Sequence, residues 1–342
     1  MPRRDAKATS RPTPPAPAAP LWGVDLGGTK IEAAIVDATT PERAIHRVRL
    51  PTEASRGYDH IVGRVREVIE LLERESDVER PGIIGIGTPG AVEPSAGTLK
   101  NANTVCLNGR PLATDLAAAL GVDVRVANDA NCFALAEATM GAARGRGVVI
   151  GLILGTGVGS GIVVHRRVLH GLHGIAGEWG HNPMRGESTP CYCGRLGCVE
   201  TVISGPALER YHREAGRIDA PLPEIARRAD GGDQNAIATI QRLIDKFSEA
   251  IAAVINILDP DAIVIGGGVG QTARLYAPET RDAIRRHLFN PDLRTEILRP
   301  VLGDSAGVFG AALLGARRDG AESEADSGST EPRSVGTRSA PS

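Results

Sequence analysis

Two kinds of apolar spacing alternate along this chain. Short apolar runs at 21–26, 31–36, 83–87, 122–127 and 262–265 are too brief for helices and are bounded by Gly, Pro, Asn or Asp, so they predict strands. Between them the spacing changes to that of a helix. Ile61, Val65, Val68, Ile69 and Leu72 fall on one helical face and predict a helix over 58–74. Further helices are predicted from Asn128-Asp129 through Ala138, over about 236–258 up to Asp259-Pro260, and over about 305–316. Strands alternating with helices predict an α/β fold with mixed sheets.

One device occurs twice. A strand, a Gly27-Gly28-Thr29 turn and a second strand open the folded part; the same order recurs at 148–164, around Gly155-Thr156-Gly157-Val158-Gly159-Ser160-Gly161. The repetition predicts two related domains, a smaller one over 21–127 and a larger one over 128–304, each offering a glycine turn to one ligand. The flanks differ in kind. Residues 1–20, rich in Pro, Ala and Arg, and 319–342, rich in Ser, Gly, Glu and Thr, are expected to be disordered tails.

Composition narrows the function. A net charge of -2 gives no reason to expect nucleic acid or an anionic membrane as partner. Aromatics are only 3% of residues, so a sugar site here would rely on hydrogen bonds rather than stacked rings. No apolar run approaches the roughly 20 residues that span a bilayer. The stretch after Met1-Pro2-Arg3-Arg4 lacks the apolar core of an export signal, and a cytoplasmic location is expected. Five cysteines, three of them clustered, suit a reduced compartment better than a disulfide framework.

The turns carry the first chemistry. Asp25-Leu26-Gly27-Gly28-Thr29-Lys30 lets backbone N–H groups approach an anion, adds hydroxyl and ammonium donors, and sets an Asp where it can hold a metal ion through water. A hairpin with a polar tip explains this turn equally well. The second turn has more glycines than a turn needs, and they weaken the strand they interrupt. Two such turns predict a nucleoside triphosphate cradled from both domains. A Walker loop is absent. Gly85-Ile86-Gly87-Thr88-Pro89-Gly90 matches a dinucleotide fingerprint by letter, but Pro89 and Pro94 oppose a helix start, and no acidic residue falls at the ribose position.

Cys191, Cys193 and Cys198 fall within eight residues and need one more ligand for tetrahedral closure; His181 lies ten residues before Cys191. Such a closed set predicts structural zinc. The alternative is a redox loop, although redox pairs are usually C-x-x-C. Asn128-Asp129 reads either as a helix cap or as a cleft carboxylate that accepts a proton from an attacking hydroxyl. Glu178 and His181 are three residues apart. Zinc on one nitrogen of His181 would fix the other as a donor. Glu200 is either placed by the same loop or a solvated surface charge.

Taken together, several strings carry a family resemblance: Gly23-Val24-Asp25-Leu26-Gly27-Gly28-Thr29-Lys30, Lys100-Asn101-Ala102-Asn103, Leu107-Asn108-Gly109, Asn128-Asp129-Ala130-Asn131-Cys132, Glu178-Trp179-Gly180-His181-Asn182-Pro183, Pro190-Cys191-Tyr192-Cys193-Gly194, Asn256-Ile257-Leu258-Asp259-Pro260-Asp261 and Gly303-Asp304-Ser305-Ala306-Gly307. The chain resembles the ROK sugar kinases, and among them most the bacterial fructokinases, also called mannokinases. The resemblance implies a two-domain actin-like ATPase/hexokinase (ribonuclease H-like) fold with a central cleft and a zinc-binding loop, in which the C-terminal helix, 305–318, returns to the first domain. It implies ATP-dependent phosphorylation of a hexose at O6, most readily fructose and secondly mannose. Kinases for glucose or N-acetylated hexosamines are the alternative. A non-catalytic sugar sensor is a third, against which Asp129 and both turns argue.

The resemblance also assigns residues. Asp129 would be the general base; Gly90, Asn103, Asn128, Glu178, His181 and Glu200 would hold the sugar. ATP would lie against Gly23, Val24, Asp25, Leu26, Gly27, Gly28, Thr29 and Lys30, against Gly155, Thr156, Gly157, Val158, Gly159, Ser160, Gly161 and Ile162, and against Gly266, Gly267 and Gly268, with Mg²⁺ near Asp25. His181, Cys191, Cys193 and Cys198 would bind zinc. A homodimer is expected, and the 20 Pro-rich residues before the core are not expected to form the helix-turn-helix of the family's repressors. Loss of zinc is expected to damage sugar recognition before ATP binding.

Overall fold

The computed structural model describes residues 20–37, 44–216 and 218–316. The expected tails, 1–20 and 319–342, lie almost entirely outside the described residues. The chain opens with β1 (Leu21–Leu26), β2 (Lys30–Val36) and β3 (Ala44–Pro51), a run of antiparallel strands. Helix α1 (Tyr58–Ser76) follows and crosses to β4 (Ile83–Thr88), which lies parallel to β1. A small pair, β5 (Ala91–Val92) and β6 (Leu99–Lys100), then precedes α2 (Leu112–Leu120) and β7 (Asp123–Asn128), parallel to β4. The first sheet therefore runs β3-β2-β1-β4-β7.

Helix α3 (Asp129–Thr139) leads to the second sheet. There β8 (Val148–Leu154), β9 (Val158–Val164) and β10 (Arg167–Val168) repeat the antiparallel run. A loop and the helices α4 (Glu200–Ile203), α5 (Gly205–Gly216), α6 (Leu222–Asp230) and α7 (Gln234–Leu258) intervene before β11 (Ala262–Gly266). Then come α8 (Gly267–Gly270), α9 (Pro278–Arg285), β12 (Glu296–Leu298) and α10 (Ala306–Leu314). The order β10-β9-β8-β11-β12 matches that of the first sheet, with β8, β11 and β12 parallel. Each half thus has a three-strand meander continued by two parallel strands.

The cores explain the placement. Helix α1 buries Ile61, Val65, Val68, Ile69 and Leu72 on the first sheet, with α2 beside it. Helix α7 buries Leu243, Phe247 and Ile251 on the second. Helices α3 and α10 lie between the sheets. Their residues share one cluster with Ala34 and Val36 of β2 and with Val149, Val163 and Val264 of the second sheet. Helix α3 is rich in Ala and α10 in Ala and Gly, which allows close crossing: a Cβ on Gly310 would lie 1.8 Å from the Cys132 carbonyl oxygen. Nearly every residue of α3 is buried, as suits a central helix. No helix among the described residues is long and apolar enough to cross a membrane.

Candidate functional site

The site is built around the start of α3. Asn128 ends β7 and caps the helix: its Oδ1 accepts from the Ala130 N–H at 2.8 Å, while its Nδ2 donates to the Gly90 carbonyl at 3.1 Å. The cap reading and the site reading of this pair are therefore compatible, because the cap fixes the residue that follows. Asp129 accepts from the same Ala130 N–H at 2.7 Å. Its side chain is open to solvent, yet protein surrounds it on most sides. That burial pushes its carboxyl above the ordinary range, against the pull of the Ala130 N–H and of Asn128. Gly90 has φ +82°, and a Cβ there would stand 2.6 Å from the Lys100 carbonyl, so only glycine fits. Asn103 is exposed nearby, its loop pinned by Asn108, which bonds the Ala102 N–H and carbonyl at 2.8 and 3.0 Å.

Carboxylates from both halves sense one another here. Asp25 is pushed up to about 6 by burial first, then by the charges of Asp129 and Glu32, with Lys30 opposing. Glu178 is also raised, by burial first; His181 opposes, and Asp129 and Glu200 add to the rise. Such a set accepts hydroxyl donors and favours a hard cation.

The first glycine turn is a tight hairpin end. Gly27 N–H donates to the Lys30 carbonyl at 3.0 Å, and Thr52 clamps it through its N–H to Thr29 and its hydroxyl to Gly27. Gly28, Thr29 and Lys30 are exposed. Earlier in the motif the residues have other uses. Val24 and Leu26 are core, and Gly23 faces α10, where a Cβ would lie 2.4 Å from the Val308 carbonyl.

The second turn divides the same way. Gly155, Thr156 and Gly157 form the turn, with a Gly155 N–H to Gly157 carbonyl bond at 2.9 Å. Beyond it, Gly159 and Gly161 lie against the start of α3; a Cβ on Gly161 would be 2.6 Å from the Ala130 carbonyl. These glycines make room for the helix that carries Asp129. Val158 belongs to the core cluster of the second half. Ser160 and Ile162 take the opposite face of the sheet, lining a hollow with Ile251 and Val254, and the Ser160 hydroxyl donates to the Gly177 carbonyl. They are thus turned away from α3. Gly266 packs on the Phe133 ring, whereas Gly267, at φ +80°, lies beside Leu154 at the base of the second turn and Gly268 is exposed.

His181, Cys191, Cys193 and Cys198 bring their ligand atoms within 4.8 Å of one another. His181 Nδ1 lies 3.6 Å from Cys191 Sγ, and the Cys193 and Cys198 sulfurs are 3.6 Å apart. Sulfurs about 2.3 Å from a tetrahedral ion stand roughly 3.8 Å apart, so the donor set fits a closed metal site. The other imidazole nitrogen, Nε2, faces Tyr192 Oη at 3.0 Å and Glu178 at 3.9 Å. Glu187 ties the loop to α7 through Arg242 at 2.8 Å and Lys246 at 3.0 Å.

Two features escaped the sequence reading. Glu32 is buried among Lys30, Arg47 and Arg49 beside Asp25. A lone charge within the apolar run of β2 was its signal. The second joins the Cys/His loop to the second glycine turn. Glu200, just past the thiolates, accepts from the Val158 N–H at 2.9 Å, and Gly205 N–H donates to the Gly155 carbonyl at 2.8 Å. No spacing pattern announces these long-range bonds.

Two duplicated mixed sheets with central helices between them, and a carboxylate-lined site at the start of one of those helices, define a hexokinase-like sugar kinase fold. The chain belongs to the ROK family, whose model matches residues 21–318. It is 36% identical over 303 residues to a protein named N-acetyl-D-glucosamine kinase from Citrobacter koseri, a match covering 86% of this chain and 98% of that relative. Among solved structures, a ROK hexokinase from Thermus thermophilus matches with TM-score 0.76 and 35% identity, over 86% of this chain and 97% of that one. A ROK family glucokinase from Streptomyces griseus, in complex with glucose and AMPPNP, matches with TM-score 0.71 and 30% identity, over 87% and 99%.

Proposed function

We propose that the protein is an ATP-dependent hexose kinase acting on the 6-hydroxyl of a glucose-series sugar, N-acetyl-D-glucosamine first and glucose second. The observation that carries this reading is Asp129 at the first residue of α3, open to solvent, with Asp25 from one half and Glu178 from the other close enough to shift with it. Phosphoryl transfer needs little covalent help from protein; it needs a hydroxyl held in line and charge neutralised. Asp129 would take the hydroxyl proton, and its raised proton affinity suits a base working near neutral pH. Glu178, Glu200, Asn128 and Asn103, with the Gly90 backbone, would accept from or donate to the other hydroxyls. His181 Nε2 would add a donor, its ring fixed by zinc on Nδ1, a metal that would supply rigidity alone. The N–H groups of the two turns would face the phosphates, beside Gly267 and Gly268. Mg²⁺ near Asp25 would neutralise phosphate charge.

The choice of sugar follows the named relatives, none of which points to fructose. A coupled ADP-release assay over N-acetyl-D-glucosamine, glucose, N-acetylmannosamine, mannose and fructose tests it. The highest kcat/KM is expected on one of the first two. A clear preference for fructose would reject the glucose-series reading, and no ADP release with any sugar would reject the kinase itself.

A further inference from the structure

Glu200 is the first residue of α4, two positions past the last thiolate of the metal group. Its Oε2 accepts from the Val158 N–H at 2.9 Å. A Cβ built on Gly157 would lie 2.6 Å from that same oxygen, so the carboxylate rests directly on the turn. The Gly205 N–H holds the turn's other end through the Gly155 carbonyl at 2.8 Å. Residues 200–205 thus grip the second glycine turn on both sides. The second oxygen of Glu200, Oε1, has no protein donor among the described residues. One carboxylate therefore has one oxygen on the second glycine turn and one without a protein donor, which the proposed function assigns to the hexose.

We infer that Glu200 is a positioning residue that couples hexose occupancy to nucleotide affinity. This rests on the reading of the protein as an ATP-dependent hexose kinase. A hexose hydroxyl on Oε1 fixes the carboxylate. The fixed Oε2 then holds the Val158 N–H, and with it residues 155–157, in the form that receives phosphate. Ordering the Glu200 side chain and the turn has an entropy cost that is met once, by whichever ligand binds first, so the second binds more tightly. Linkage makes the effect reciprocal.

The test is calorimetry with Mg²⁺ and the non-hydrolysable analogue AMPPNP, with and without saturating N-acetyl-D-glucosamine or glucose. In the wild type the hexose should tighten AMPPNP by about fivefold or more. Gly157→Ala puts a methyl where Oε2 lies and displaces only the flexible end of Glu200. There the ratio should fall to near one, with hexose affinity measured without nucleotide weakened less than in Glu200→Ala. Glu200→Ala should lose the ratio and weaken hexose as well. A wild-type ratio of one, or a wild-type ratio preserved in Gly157→Ala, overturns the inference alone. Failure of the wild type to bind any hexose overturns the functional reading, and the inference with it.

Discussion

Asp129 is pulled two ways. The Ala130 N–H it accepts stabilises its charge, whereas the protein around it opposes that charge, and the second effect is larger. Asn in its place keeps the shape and the helix cap but cannot take a proton. Asp129→Asn is expected to lower kcat by about 10²- to 10⁴-fold while hexose still binds. Single-turnover kinetics beside calorimetry check this, and near-normal turnover would dismiss Asp129 as base. Asp25 makes a prediction with a definite sign. Its folded value of about 6 lies above the ordinary 3.8, so the folded state holds this proton more tightly than the unfolded one. Its contribution to stability is complete below pH 3.8 and is lost as pH rises through 6. Asp25→Asn should therefore raise the melting temperature of the ligand-free protein at pH 7.5, by at most about 3 kcal/mol in stability. The gain should shrink as pH falls toward 4, and Mg²⁺-dependent activity should be lost. A gain independent of pH would contradict this account. These two residues stand in short, recognisable strings, which is why the sequence could single them out; Glu32 stands in none.

At the scale of elements, the Cys/His loop is the instructive case. Its four donor residues were legible because metal ligands need fixed residue types at short spacing. The loop's reach was not. It continues directly into α4 and α5, which grip the Gly155–Gly157 turn. Metal analysis is expected to find about one zinc per chain, and its removal by chelation should weaken both hexose and AMPPNP binding. Loss of hexose affinity with AMPPNP affinity unchanged would show that the loop serves the sugar alone. The glycines teach the same lesson. Gly27 and Gly157 sit in turns; Gly159 and Gly161 look alike in sequence but serve helix packing, because a residue string does not say which backbone will approach it. Edge strand β3 has no continuous apolar run, its Ile45, Val48 and Leu50 being separated by His and Arg, and so differs from the strands read as short apolar runs.

In the whole molecule, the chain passes between the two sheets at β7–α3 and again at β12–α10. Buried Glu137 on α3 joins these crossings. Its carboxylate accepts from the Val301 and Leu302 N–H groups before α10, at 3.2 and 3.1 Å, and from Ala142 at 2.8 Å. Truncation would leave three backbone donors unsatisfied at the junction of the halves. Glu137→Ala is expected to cost about 3 kcal/mol or more, read from urea denaturation. A loss below about 1 kcal/mol would show that water replaces the carboxylate. The sequence by itself determined the elements whose burial follows one period, such as α1 over Tyr58–Ser76, and the residue sets whose chemistry is local: the paired turns, the Asn128-Asp129 cap and the thiolates with His181. The tertiary structure alone decided which glycines stay in the turns and which pack on a helix, that Glu137 joins the crossings, and that Glu200 touches the second glycine turn. Those contacts join residues far apart in the chain, and a donor or a close approach contributed by a distant segment leaves no period and no spacing to read.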